Sequence, residues 1–265
     1  MERSLGLMCG AGALPALMAG SARRQGWRVV AFTFADASGV GGHAARTIPS
    51  RLTEIEPVLA ALQRERVGAV LLAGRFWVQD VLQGGRPDAA AAAMTARMDD
   101  TTIVGAIAST IAGLGIELLD QRTFLDDRLA PAGSWSARPP TDDEWHDGRR
   151  GLAVARLTAD ARVGQTVVVR RGAVMAVEAA EGTTEAIRRG TGLAGPGAVV
   201  VKAVALDHDY RFDVPTVGPA TLEAAVAGGA TVVAVEAGRV LVLERDATVG
   251  LADRAGVALL GASRA

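Results

Sequence analysis

The chain has 265 residues, 49% hydrophobic and 22% charged, a packed globular composition that excludes disorder and is long enough for one large domain or two small ones. A formal net charge of -1 and only 4% aromatic residues exclude the basic, ring-stacking surface of a nucleic-acid binder. The single cysteine, Cys9, excludes an internal disulfide and a multi-cysteine zinc site, and its place in an apolar run predicts inert packing.

In chain order, Leu5 to Gly10 reads as a buried strand that opens into Gly10-Ala11-Gly12. Ala13 to Gln25 follows with helical spacing, Leu14, Leu17 and Met18 on one face, and Gly26 as its stop. Val29 to Phe34 predicts a second strand and Asp36 to Gly42 a polar loop. Ile55 to Arg66 predicts a helix and Val67 to Gly74 a third strand. An alanine-rich helical region spans 89–114, interrupted near Asp99-Asp100, before a short strand over 116–119. Strand and helix alternate throughout, which predicts a parallel, Rossmann-like sheet covered on both faces.

Past residue 129 the chain becomes rich in Pro, Ser and Gly and loses periodicity, so 131–147 reads as a linker between a domain over 1–130 and a mixed α/β domain over 148–265. In the second domain, Gln165 to Arg170 and Ala173 to Ala179 predict a hairpin across Arg171-Gly172. Glu185 to Arg189 predicts a short helix, Ala198 to Val204 a strand and Ala220 to Ala227 a helix. Thr231 to Val235 and Val240 to Leu243 predict a second hairpin across Ala237-Gly238, followed by a helix over 247–255 and a closing strand over 257–260.

Several clusters carry candidate chemistry. Gly10, Ala11 and Gly12 lie between strand and helix, where two glycines let a phosphate or ribose approach the backbone; the other reading is a tight turn. The third glycine of the dinucleotide fingerprint falls on Pro15, which disfavours an NAD-dependent oxidoreductase. Gly74 and Arg75 end the third strand at the same sheet edge, so Arg75 is either an anion contact or a solvated arginine. Asp99-Asp100 reads as a helix cap, a surface charge pair, or carboxylates that order a basic residue or a metal.

Glu178 and Glu181 precede Gly182-Thr183 at a helix opening, where carboxylates cap and complement the dipole. Together with Asp213 they would instead supply oxygens for a hard cation such as Mg²⁺, or a base for water; spacing does not decide. Asp213, Thr216 and Gly218 stand in the turn between the 198–204 strand and the 220–227 helix. Arg211 and Lys202 would balance the acids or contact a phosphate, with Lys202 near enough to a strand interior to be structural. His146 and His208 read as solvent-facing, since neither has a partner at metal spacing.

Three stretches carry a resemblance: Gly6-Leu-Met-Cys-Gly-Ala-Gly-Ala-Leu-Pro15, Val177-Glu-Ala-Ala-Glu-Gly-Thr183 and Arg211-Phe-Asp-Val-Pro-Thr-Val-Gly218. Together the chain resembles the LpxI-type UDP-2,3-diacylglucosamine pyrophosphatase family of lipid A biosynthesis, nearly end to end. The resemblance implies two domains that hold a UDP-linked diacylated glucosamine lipid. It implies Mg²⁺-dependent hydrolysis of the pyrophosphate to UMP and 2,3-diacylglucosamine 1-phosphate. It places the essential acidic residue on Asp213. Beside it, Asp213 with Glu178 or Glu181 is expected to hold the metal or orient the attacking water, Asp213 and Glu181 being the expected metal ligands. Substrate contacts are then expected from Gly10, Ala11, Gly12, Gly74, Arg75, Asp100, Gly182, Thr183, Arg211 and Thr216.

The sequence departs from the family pattern at named places. Ala205 and Leu206 stand where the family has Lys-Pro, Thr184 where it has Asp, and Phe76-Trp77-Val78 where Arg-Pro is expected. A lysine at 205 would have given a phosphate a charge-assisted contact. The second reading is therefore a diverged, non-catalytic binder of nucleotide-sugars. No charged segment precedes a long apolar run, and no stretch of about 18 apolar residues occurs, so a cytoplasmic protein is expected, peripheral contact with the inner membrane being left open. The sequence is equally open to a homo-oligomer.

Overall fold

A computed structural model describes residues 3–76, 86–95, 100–125 and 128–263. The chain packs as two compact units, Met1–Leu125 with Asp209–Asp213, and Asp126–His208 with Val214–Ala265.

The first unit is built on a parallel sheet. Ser4–Cys9 (β1) is buried at every position, so both of its alternating faces are covered. It pairs with Arg28–Thr33 (β2) on one side and Ala69–Ala73 (β4) on the other. Arg46–Pro49 (β3) and Glu117–Leu118 (β5) close the edges, giving the order β3-β2-β1-β4-β5. That is the order of doubly wound sheets, and it reverses direction between β1 and β4. Leu14–Arg24 (α1) begins with Pro15, whose missing N–H costs nothing in a first turn, and Arg23 and Arg24 complement the dipole at its end. Ile55–Arg64 (α2) turns Val58 and Leu62 onto Met8, Val30, Phe32 and Val70, joined by Ile111 from Asp100–Gly113 (α4). Ala89–Thr95 (α3) packs beside α2.

The edge strand β3 was not expected from the sequence. Its four residues are mostly exposed and end in Pro49, so no apolar alternation marks them, although a proline is tolerated at a sheet edge.

The second unit carries a mixed sheet whose strands lie in the order Gly133–Ser134 (β6), Ala258–Ala262 (β13), Ala230–Glu236 (β11), Ala198–Lys202 (β9), Thr166–Arg170 (β7) and Ala173–Val177 (β8). Of these, β9, β11 and β13 run parallel. Strands β7 and β8 form the expected hairpin, antiparallel to each other, with β7 against β9. Its turn places Arg171 at φ 49° and Gly172 at φ 76°. The buried carboxylate of Asp147 accepts both turn N–H groups, at 2.7 and 2.6 Å.

Two cores flank this sheet. Val167, Val169, Val199, Val201 and Val232 meet Leu152 and Ala155 of Asp142–Asp160 (α5). Val168, Val200 and Val233 meet Ile187 of Thr183–Ala194 (α6), Leu222 of Pro219–Ala227 (α7) and Ala252 of Arg245–Ala255 (α8).

Two readings change here. The stretch read as a linker contains Gly133–Ser134 (β6), which pairs with β13, and the start of α5, opened by a capping box between Thr141 and Glu144. Periodicity misses such a segment because a two-residue strand and the first six residues of a helix are too short for a period to repeat. The second hairpin does not form. Both edges of β11 are taken by parallel neighbours, so Leu241–Val242 (β12) pairs instead with Thr216–Val217 (β10) in a small separate sheet.

Candidate functional site

In the first unit, the loops after β1 and β4 cross at the point where the strand order reverses. Gly10 donates to the Ala73 carbonyl at 2.8 Å, and Ala11 and Arg75 exchange backbone hydrogen bonds at 2.9 Å each way. A Cβ on Gly10 would run into the Arg75 carbonyl, and one on Gly74 (φ +86°) would lie 2.8 Å from the Ala11 carbonyl. These glycines therefore let one backbone cross another, and the N–H groups of Gly10 and Ala11 are spent on that crossing. Gly12 (φ +101°) is exposed and has open space around it. Arg75 is exposed on the same edge. Asp100 opens α4, and its side chain, like the whole of Asp99, lies outside the described residues.

Asp209–Asp213 belongs to this unit as well. Tyr210 is buried, accepts the Gln121 N–H at 3.0 Å and lies under the Arg122 guanidinium, 4.0 Å from its ring centroid. Arg211, expected at a phosphate, is gripped by Asp209: Nε donates at 2.9 Å and Nη2 at 2.7 Å. That bidentate bond raises the Arg211 pKa. Asp213 ends the segment and is exposed, well past the end of β9 rather than on its first turn. Thr216 spends its hydroxyl on the Val214 carbonyl at 2.8 Å.

In the second unit, the ends of β8, β9 and β11 and the start of β7 gather at one edge of the sheet, the carboxyl edge of its parallel strands. Lys202 closes β9 and is 7% exposed. Its Nζ donates to Thr183 Oγ1 at 2.9 Å, and Thr183 Oγ1 donates to Glu178 Oε1 at 2.8 Å. Glu178 Oε2 accepts the Gln165 N–H at 3.3 Å. Thr183 is the first residue of α6, and Gly182 (φ 81°) is its N-cap, with no side chain bonded across the helix opening.

Glu181 lies apart from this group. It accepts from Arg189 and from the Ala179 N–H at 3.2 Å, and the Arg189 hydrogen bond holds its carboxyl below the usual range. A carboxylate spent on a guanidinium is a poor ligand for a metal. Among the described residues, no group of three or more His, Cys, Asp or Glu side chains could hold a metal ion.

A second polar group at this edge escaped the sequence reading. Glu236 closes β11 with no exposure and accepts from Arg156 Nε at 3.2 Å and the Val204 N–H at 2.9 Å. Arg239 stands 4.0 Å from it and donates to the Ala205 and Leu206 carbonyls at 2.5 and 3.3 Å. The group thus fixes the loop that leaves β9. A carboxylate closing the apolar run Thr-Val-Val-Ala-Val was the visible signal; its arginine partners, distant in sequence, were not.

The sequence matches the LpxI N-terminal domain over residues 4–128 and the LpxI C-terminal domain over residues 131–260. It is 30% identical to the UDP-2,3-diacylglucosamine pyrophosphatase LpxI of Caulobacter vibrioides, across 98% of this chain and 97% of that protein. The chain belongs to the LpxI family. Likenesses to solved structures are loose. N5-carboxyaminoimidazole ribonucleotide synthetase from Thermotoga maritima is 14% identical over 68% of the chain, with a TM-score of 0.26. Glycinamide-RNase-transformylase T from Mycobacterium tuberculosis is 16% identical over 74%, with a TM-score of 0.25. The chain spans 42% and 44% of those two proteins, and superpositions so poor carry no argument. Among the described residues, no helix of this LpxI-family chain is long and apolar enough to cross a membrane.

Proposed function

We propose that the protein hydrolyses the pyrophosphate bond of UDP-2,3-diacylglucosamine to UMP and 2,3-diacylglucosamine 1-phosphate, a step of lipid A biosynthesis. The observation that carries the proposal is the end-to-end match to the Caulobacter pyrophosphatase, which runs through both halves of the chain. The Lys202–Thr183–Glu178 array supports it, because it sets a polarised carboxylate at the strand ends where α/β proteins place their sites.

In this reading a water oxygen bonds to one phosphorus as the bond from that phosphorus to the bridging oxygen breaks. Glu178 accepts the proton of that water, a role its remaining lone pairs allow. The family resemblance makes Asp213 the second acid of the reaction. Mg²⁺ enters as the companion of the diphosphate, since this ion is commonly held by one or two carboxylates plus substrate phosphates. Asp213 would hold it, and Glu181, bonded to Arg189, would not. When bound, the ion would neutralise diphosphate charge.

The test is UMP release from UDP-2,3-diacylglucosamine by wild type and Asp213→Asn, with Mg²⁺ and with EDTA. Mg²⁺-dependent release that the amide abolishes is the expected result. A folded wild type that binds the substrate without turnover would instead favour the nucleotide-sugar binder, in keeping with Ala205 and Leu206 standing where the family has Lys-Pro.

A further inference from the structure

We propose that Lys202 is a positioning residue of this site, which orients Glu178 through the hydroxyl of Thr183; the inference rests on the pyrophosphatase reading above. A lysine only 7% exposed is uncommon, because an ammonium withdrawn from water must be repaid by hydrogen bonds and an opposite charge. One of the hydrogen bonds of Lys202 runs to Thr183. An ammonium can only donate, so in the 2.9 Å contact Thr183 Oγ1 is the acceptor. The hydroxyl has one proton, and the 2.8 Å contact directs it at Glu178 Oε1. The chemistry of the three groups thus fixes the direction of both bonds.

The hydroxyl between the charges has a consequence. In a direct ion pair, the ammonium would cover the carboxylate and take its acceptor sites. Here Thr183 takes one lone pair of Oε1 and the Gln165 N–H one of Oε2. About four acceptor sites exist on a carboxylate, so the rest stay open to water while both oxygens are pinned. The three groups come from the end of β8, the first turn of α6 and the end of β9, with β7 between the outer strands. Thr166 of β7 pairs in register with Lys202 and is itself 1% exposed, so the strand end that carries the lysine is covered. Thr183 is β-branched, and its restricted side-chain torsion holds the hydroxyl between its partners.

The test measures steady-state hydrolysis of UDP-2,3-diacylglucosamine, with a thermal melt of each variant. Lys202→Met and Thr183→Val are each expected to lower kcat by about 100-fold, the lower range of general-base contributions, with KM changed less than about threefold. Thr183→Ser restores the hydroxyl and is expected within about threefold of wild type. A merely structural role would leave kcat per folded molecule the same in the Val and Ser variants, which differ at one hydroxyl. If Lys202→Met or Thr183→Val turns over like wild type, or if KM rises while kcat stands, the positioning role is wrong. A wild type that never releases UMP is a different failure: it brings down the pyrophosphatase reading, and this inference with it.

Discussion

At the scale of single residues, burial decides which charges matter. Glu236 is fully buried beside Arg156 and Arg239, so removing it takes the carboxylate away from two guanidiniums at a sheet edge. Glu236→Leu is expected to destabilise the protein by about 3 kcal/mol, the cost of breaking a buried pair from one side, read as a lower urea midpoint. Glu185→Ala breaks an exposed pair with Arg188 and is expected to change stability by less than about 0.5 kcal/mol in the same assay. Cys9 supplies a pH prediction. Burial pushes its thiol from an ordinary 9.0 up to about 12, so well below pH 9 it is protonated in both states and shielded in the native one. From pH 9 to 12 the unfolded chain loses the proton that the native state keeps, and the stability from this group falls as pH rises. A thiol reagent at pH 8 should find no reactive group in the native protein and one after denaturation.

At the scale of elements, small residues set how closely layers approach. Gly151 of α5 faces β9 and β7, where an added Cβ would press into Val201 and stand 3.2 Å from Val169 Cγ2. Gly151→Ala is expected to cost about 1–3 kcal/mol through overpacking, seen as a lower melting temperature. By contrast, Thr141→Ala removes only the capping hydroxyl of α5 and should cost about 1 kcal/mol. The abundance of glycine and alanine in the sequence signals such close helix–sheet contact. It does not say which glycine meets which strand, because the partners Gly151 and Val201 are joined by the fold alone. Helix and strand type were legible wherever the apolar period ran for several residues, as in α1, α2, β7 and β9. They were lost where an element was short or exposed, as in β3 and β6.

At the scale of the whole molecule, the composition shift past residue 129 lies near one division of the chain, and no shift marks the other two. The chain passes between its two units three times, at 125–126, 208–209 and 213–214. The family motif around Asp213 therefore begins in a segment that packs with the first unit, through Gln121 and Arg122 on Tyr210. A fragment of residues 126–265 lacks those partners. Limited trypsin digestion is expected to cut it after Arg211 while sparing that bond in the full chain, a difference read by mass spectrometry. Equal cutting in both would show that the segment gains nothing from Gln121 and Arg122.

By itself, the sequence determined the α/β class, most of the helices and strands, the membership signalled by three motifs, and the polar character of the Glu178–Thr183 stretch. Those properties depend on local period and on residue type at short spacing. Only the tertiary structure decided that Arg211 is bound by Asp209, that Glu181 is spent on Arg189, and that Lys202 reaches Glu178 through Thr183. It alone decided that the Gly10 and Gly74 backbones consume each other's freedom where two loops cross. The physical reason is common to all of these. A side chain's role depends on which hydrogen-bond partners the fold delivers to it, and nothing in the residue or its neighbours records whether those partners arrive first.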